Sequence, residues 1–315
     1  MKTKALIFLL LASLAFNYGC KSKAKLVGID DMPKERIKQI KEFLDNHEAY
    51  AYIPAATKII RNEKGDITDT VKVDEFFISK TEVSNAAYLE FIDSVRQKHG
   101  KDSAQALLPD TTVWPGAFLE KMKMYYLRHP AYQTYPVTGV THRQAELYCQ
   151  WLTEVFAKEQ ELELAFKKVS FSLPTEEEWE QAASGGDQHI EYPWGGPYTI
   201  NSDGKFMANF YSIKQGAVYR DSLGNLTIAQ SGLFDAPQLF EVTATAPVRS
   251  YYTNDFGLYC MAGNVEEMLK TEGIAKGGSW RDPGHYLRIS VRNHYQPETA
   301  DSKRGFRVVM YVNEF

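Results

Sequence analysis

Cysteine is scarce, three residues in a chain of 315. One of them, Cys20, closes an apolar run at the N-terminus. That leaves Cys149 and Cys260, which allow at most one internal disulfide. Cys149 lies on the apolar side of an amphipathic stretch, a setting that favours two separately buried thiols over a bridge. There is no surplus of positive charge: 36 basic against 40 acidic residues give a net charge of -4, which leaves no basic footprint for nucleic acid. Beyond the N-terminus no apolar run is long enough to span a bilayer, and neither an internal repeat nor a low-complexity linker is present. A hydrolase elbow is missing too, because Ser279 stands in "GGSW" and not in G-x-S-x-G. His142, His189, His285 and His294 are scattered over a predicted helix start and loops, where structural roles outweigh catalytic ones.

The rest of the composition is that of a globular domain, 44% hydrophobic and 24% charged, with 19 Tyr and 17 Phe to fill a core. The N-terminus "MKTKALIFLLLASLAFNYGC" combines Lys2 and Lys4 with an apolar run from Ala5 to Phe16 and a small residue before Cys20. The run is too short for a membrane-spanning helix and reads as a secretory signal over residues 1–19. Gly19-Cys20 suggests lipoprotein processing with Cys20 acylated, although "FNY" departs from the usual lipobox. A plain signal peptide with a chance cysteine is the other reading.

Residues 20–49 read as a tether and lead-in helix, with Ile37, Ile40, Phe43 and Leu44 on one face. Residues 50–315 read as one domain. "VDEFFISKTEVSNAAYLEFIDSVRQKHG" predicts a strand and then a helix with Ser84 as N-cap, a stripe of Tyr88, Phe91, Ile92 and Val95, and a stop at Gly100. A capping box, Thr141 with Gln144, opens a helix burying Ala145, Tyr148, Cys149, Leu152 and Phe156. Thr175 with Glu178 repeats the device, and Gly185-Gly186 ends that helix. The helix dipole accounts for Glu176, Glu177 and Glu178. From Asp187 onward Gly, Asn, Asp and aromatics dominate, and periodic runs are few. Two or three short helices in so irregular a body do not fit a sandwich, a barrel or a doubly wound sheet.

Taken in order, "KTEVSNAAYLEFI", "YPVTGVTHRQAELYCQWL", "FSLPTEEEWEQAASGG", "YPWGGPY", "ANF", "APVRSYYTNDFGLYCMAGNVEEM", "KGGSWRD" and "RGFRVV" resemble the formylglycine-generating enzyme, or sulfatase-modifying factor, family. The resemblance implies a fold of α+β class, a single irregular domain with little regular secondary structure, related to C-type lectins. A narrower resemblance, in "LLPDTTVWPGAF", "YYLRHPAYQTYPVTGV" and "YPWGGPYTINSDGKFMANF", points to the gliding-motility and type IX secretion lipoproteins of Bacteroidetes. Surface-exported lipoproteins of that group carry acidic residues after the acylated cysteine. Here "KSKAKL" follows Cys20, so an outer-membrane anchor facing the periplasm is expected.

The family's aerobic enzymes bind copper through two cysteines five apart, shortly after "GGS". The thiolates hold Cu(I), and one exchanges with the substrate's cysteine. In this chain those places fall at Asp282 and Leu287. The ergothioneine branch needs iron on a spaced H-x3-H-x-E cluster, and the lead-in offers only His47 with Glu48. No catalytic residue and no catalytic cofactor is therefore expected.

The resemblance does imply structural calcium. One place comprises position 260, the carbonyls of Gly263 and Val265 and the carboxylate of Glu267; the Cys260 thiol is a poor donor for so hard an ion. The other comprises Asn209, the Phe210 carbonyl and a downstream acid such as Asp221. Asn264 reads as a turn cap, and Arg292 and Arg307 as partners for buried carboxylates such as Glu82. The function expected is a non-catalytic scaffold or binding subunit of a secretion or gliding assembly. It would contact protein partners through the 211–246 loop and the aromatic-rich 109–135 segment. Two alternatives stand beside it: an oxygenase with altered metal ligands, and a glycan or peptidoglycan binder using Trp114, Trp194 or Trp280.

Overall fold

Alternation within two short apolar strands sets the architecture. In the strand Tyr50–Ile53 (β1), Tyr50 and Tyr52 face one core while Ala51 and Ile53 face another. These two cores lie on opposite faces of a four-stranded antiparallel sheet. The computed structural model describes residues 32–61, 67–114, 120–159, 168–212, 218–220, 226–228 and 244–314. After β1 come the hairpin Ala56–Arg61 (β2) and Ile67–Val73 (β3), then the strand Phe76–Ser79 (β4). The strands Lys168–Ser172 (β5) and Val309–Glu314 (β12) complete the sheet in the order β1-β4-β12-β5, so the C-terminal strand fills its middle. Because both faces are covered, β1 and β4 read as unbroken apolar runs, "YAYI" and "FFIS".

Helices cover one face. The helix Lys34–Asn46 (α1) inserts Ile40, Phe43 and Leu44 into the same cluster as Phe77, so the lead-in helix belongs to the domain's core. The helices Asn85–His99 (α2) and His142–Glu159 (α5) add Tyr88, Phe91, Tyr148 and Phe156. Ser84 caps α2 by accepting from Ala87 N at 3.3 Å, and Gly100 ends it at φ 89°. Between them lie two short helices, Lys101–Gln105 (α3) and Glu120–Tyr125 (α4). Against the other face packs the helix Glu176–Ala183 (α6), whose Trp179 is fully buried.

The C-terminal half holds very short strands: Val218–Arg220 (β6) pairs with Leu226–Ile228 (β7), and Glu266–Met268 (β8), Ile274–Lys276 (β9), Asn293–His294 (β10) and Arg304–Gly305 (β11) form a second sheet in the order β10-β9-β8-β11. Between them runs irregular backbone whose peptide groups are paired partly within turns and partly with distant segments, as in Asn264 N to the Asn209 carbonyl at 2.7 Å and Tyr259 N to the Lys80 carbonyl at 2.8 Å. Among the described residues no helix is long and apolar enough to cross a membrane.

Candidate functional site

The turn that carries the site is set by two glycines. Gly277 and Gly278 hold φ 89° and 65°, and a Cβ on Gly278 would lie 2.8 Å from the Tyr286 carbonyl oxygen. This turn delivers Ser279, fully buried, with its hydroxyl donating to Asp282 Oδ2 at 2.5 Å. Lys303 Nζ stands 3.2 Å from Asp282 Oδ1 and 3.2 Å from Glu266 Oε2. Burial works against the ammonium, but the two carboxylates outweigh it and hold the Lys303 pKa above its usual value. Glu266 also accepts from Arg304 Nε at 2.8 Å and from Asn293 Nδ2 at 2.7 Å. The centre is thus a closed chain of Ser279, Asp282, Lys303, Glu266 and Arg304. It offers no neutral amine or imidazole to activate the hydroxyl.

Leu287 ends the one-turn segment Gly284–Leu287 and is fully buried among Tyr192, Ala208, Phe210 and Ala262. Trp280 stacks near Trp114 at 6.1 Å between centroids, and both are core residues at 8% and 3% exposure. They are therefore not free to stack on a sugar. Trp194 is only partly buried and lies parallel to Tyr192 at 5.0 Å.

A second buried polar group sits beneath this centre. Arg307 donates to both oxygens of Glu267, at 2.7 and 2.6 Å, and to the carbonyls of Ser79 and Tyr259 at 3.0 and 2.9 Å. Trp179 Nε1 also donates to Glu267, at 2.7 Å. The expected partner of Arg307, Glu82, instead lies beside the Arg307–Glu267 pair, and Arg292 pairs with Glu176 at 2.5 Å. Glu82 accepts from Asn264 Nδ2 at 2.9 Å, while its other oxygen is buried without a partner. Burial raises its pKa to about 8.

Asn264 does more than cap a turn. At φ 63° it donates to Glu82 and to the Ala246 carbonyl, and accepts from Ala246 N at 2.7 Å and Asn209 Nδ2 at 3.3 Å. It therefore ties three separate segments together. Cys260, at φ 51°, donates its thiol to the Ser250 carbonyl. Burial, then the Glu82 charge, raises its pKa well above the usual thiol value. Burial does the same for Cys149, and the two are not bridged.

The comparisons with known proteins bear directly on this arrangement. Residues 47–312 match the model of the sulfatase-modifying factor enzyme 1-like domain. The chain belongs to the sulfatase-modifying factor family. It is 26% identical to the mouse formylglycine-generating enzyme over 286 residues, covering 75% of this chain and 66% of that protein. It is 28% identical over 187 residues to a bovine protein named as inactive C-alpha-formylglycine-generating enzyme 2, covering 55% of this chain and 49% of that one. The Chlamydia pneumoniae serine/threonine-protein kinase pkn1 is 24% identical over 268 residues, covering 77% of this chain and 34% of that protein. This member of the family thus spans just under two thirds of the first of these relatives and less of the others. Its fold is shared with the solved structures of CarF (TM-score 0.52, 20% identity, 82% of this chain and 97% of that one) and of PvdO from Pseudomonas aeruginosa (TM-score 0.53, 18% identity, 84% and 94%). The α+β class with modest regular structure follows from these neighbours.

The family's metals can be tested against the side chains present. A copper(I) site needs soft thiolates. Asp282, neutralised by Lys303, and Leu287, closed in by aromatic and aliphatic groups, do not fit it. At the place of the expected calcium formed by Gly263, Val265 and Glu267, the Arg307 guanidinium already neutralises Glu267. Calcium would require six to eight oxygen donors there, and the position at 260 carries a protonated thiol, so these residues do not fit the ion either.

At the other place, Asn209 donates its amide to the Ala244 carbonyl at 2.7 Å, and its carbonyl accepts from Asn264 N at 2.7 Å. Phe210 is buried. Asp221 and most of the 211–246 loop lie outside the described residues. Of the 109–135 segment, Trp114, Tyr126 and Leu127 are buried, whereas Met124 and Tyr125 are exposed. The sequence signal had missed Lys276, fully buried between Glu176 and Glu180 at 3.0 and 2.5 Å, and the environment of His142. The dipole therefore accounts for only part of what Glu176 and Glu178 do, since Glu178 closes the capping box and Glu176 pairs with Lys276 and Arg292.

Proposed function

We propose that the chain is a non-catalytic member of its family, a scaffold or binding subunit held by lipid at Cys20 to the periplasmic face of the outer membrane. Its partners would be proteins of an envelope assembly, of the secretion or gliding kind. The observation that carries the reading is the pair of residues at the copper places. An Asp282–Lys303 ion pair and a buried Leu287 make a stable plug where the chemistry needs exchangeable thiols. The remaining thiols, Cys149 and Cys260, are buried and protonated, so neither supplies a thiolate. Relatives named as inactive show that the family tolerates loss of the activity. The buried ion pairs and aromatic clusters hold the frame, and surface segments such as the one carrying Met124 and Tyr125 are left to meet partners.

Two measurements test this. The purified protein, loaded with copper and given a cysteine-containing sulfatase peptide under air, should yield no formylglycine by mass spectrometry. In intact cells, cross-linking should trap it in stoichiometric complexes with envelope proteins. Turnover of the peptide, or a chain that stays monomeric under cross-linking, would sink the reading.

A further inference from the structure

His142 opens α5, and its imidazole is 1% exposed. Its Nε2 lies 2.9 Å from the Leu269 carbonyl oxygen, which only accepts, so Nε2 carries the proton. In the neutral ring Nδ1 then bears a lone pair, and this atom is buried with no hydrogen-bond partner. It points at two carboxylates. Glu146 stands one turn further along the same helix face, and Glu272 sits in the turn between β8 and β9. The three ligand atoms lie within 4.8 Å of one another, and Nδ1 is 3.9 Å from Glu272 Oε1, beyond direct hydrogen bonding. One oxygen of Glu146 is held by Arg143 at 3.1 Å.

We propose that His142, Glu146 and Glu272 form a three-ligand site for a divalent transition metal, zinc by preference. A lone pair aimed at two carboxylates is a donor set in want of a cation. The bond from Nε2 to a backbone carbonyl is the support that fixes the tautomer and ring orientation of a metal-binding histidine. Imidazole with carboxylates suits zinc better than calcium or magnesium. Tetrahedral zinc with bonds of about 2.0–2.1 Å places neighbouring ligand atoms roughly 3.3 Å apart. Glu272 would have to close by about 0.6 Å from its present 3.9 Å, and its side chain is 65% exposed and able to move. Three protein ligands leave a position for water on the open side. The ion would clamp the start of α5 to the β8–β9 turn, two segments otherwise joined there through the bond of His142 to Leu269.

The test is zinc titration of the tag-free, full-length protein in detergent after chelator treatment, by calorimetry, with thermal unfolding as a second reading. One zinc per chain should bind and raise the melting temperature. Glu272→Gln, which removes a charge from an exposed residue, should bind about tenfold more weakly or worse while its zinc-free melting temperature stays that of the wild type. Failure of the wild type to bind zinc stoichiometrically would overturn the site and leave a structural histidine. Equal binding by Glu272→Gln would overturn it too, placing the ion elsewhere.

Discussion

At the scale of single residues, buried charges decide which side chains are indispensable. Arg307 and Glu267 are each other's buried counter-ion, and removing either would leave the other without it. Glu82 is different, because it is fully buried, keeps one oxygen unpartnered and holds its proton up to about pH 8 against an ordinary value of 4.5. Between those values the unfolded chain has lost the proton and the folded chain keeps it. Folding therefore takes up a proton there, and stability falls as pH rises. Arg307 faces the group and stays charged across this window because its pKa is raised, while Cys260 and Tyr126 stay neutral because burial raises both. Wild type should lose stability relative to Glu82→Gln by about 1.4 kcal/mol per pH unit within the window, and no further above about pH 8. Denaturant unfolding of both proteins at several pH values measures this difference directly. Parallel curves would show that Glu82 is ionised in the fold.

At the scale of elements, short helices depend on their ends. The helix α6 has eight residues, too few to be stable alone, yet it positions Trp179 against Glu267. Its capping box is complete: Thr175 Oγ1 accepts from Glu178 N at 3.2 Å, and Glu178 Oε2 accepts from Thr175 N at 2.8 Å. Thr175→Ala should cost about 1 kcal/mol, seen as a lower urea midpoint with an unchanged slope. Glu178→Ala should cost more, since Glu178 also accepts from the Tyr311 hydroxyl at 2.9 Å.

Such ends are legible in a sequence because cap and first turn are neighbours along the chain. Ser84, Gly100 and the box of Thr141 with Gln144 were readable for the same reason. Strands such as β10 and β11, two residues each, carry no period to read, and their sheet was hidden until the chain was folded. The pairings of Arg307 with Glu267, Lys276 with Glu180 and His142 with Leu269 were equally hidden, because each joins residues far apart in sequence that no spacing rule connects. Resemblance of ordered motifs, not periodicity, made the irregular half recognisable.

At the scale of the whole molecule, the question is where the frame is held. On the non-catalytic reading proposed above, the Asp282–Lys303 ion pair, the buried Leu287 and the Arg307–Glu267 pair hold the domain's shape, and its work would fall to surface and location. On that reading location would be set by the N-terminus, with its expected secretory run, Cys20 and the basic "KSKAKL" behind it. A single diacylated or triacylated cysteine would fix the protein firmly, since each buried methylene adds about 0.8 kcal/mol. The wild type should then fractionate with the outer membrane, incorporate labelled palmitate, and resist protease added to intact cells. It should be digested once the outer membrane is permeabilised. Cys20→Ala should lose the label and, if the signal is still cleaved, appear in the soluble periplasmic fraction with the folded domain unchanged by circular dichroism. Digestion on intact cells would move the domain to the cell exterior. A soluble wild type without label would make Cys20 a chance residue behind a plain signal peptide, and would separate the scaffold role from the membrane.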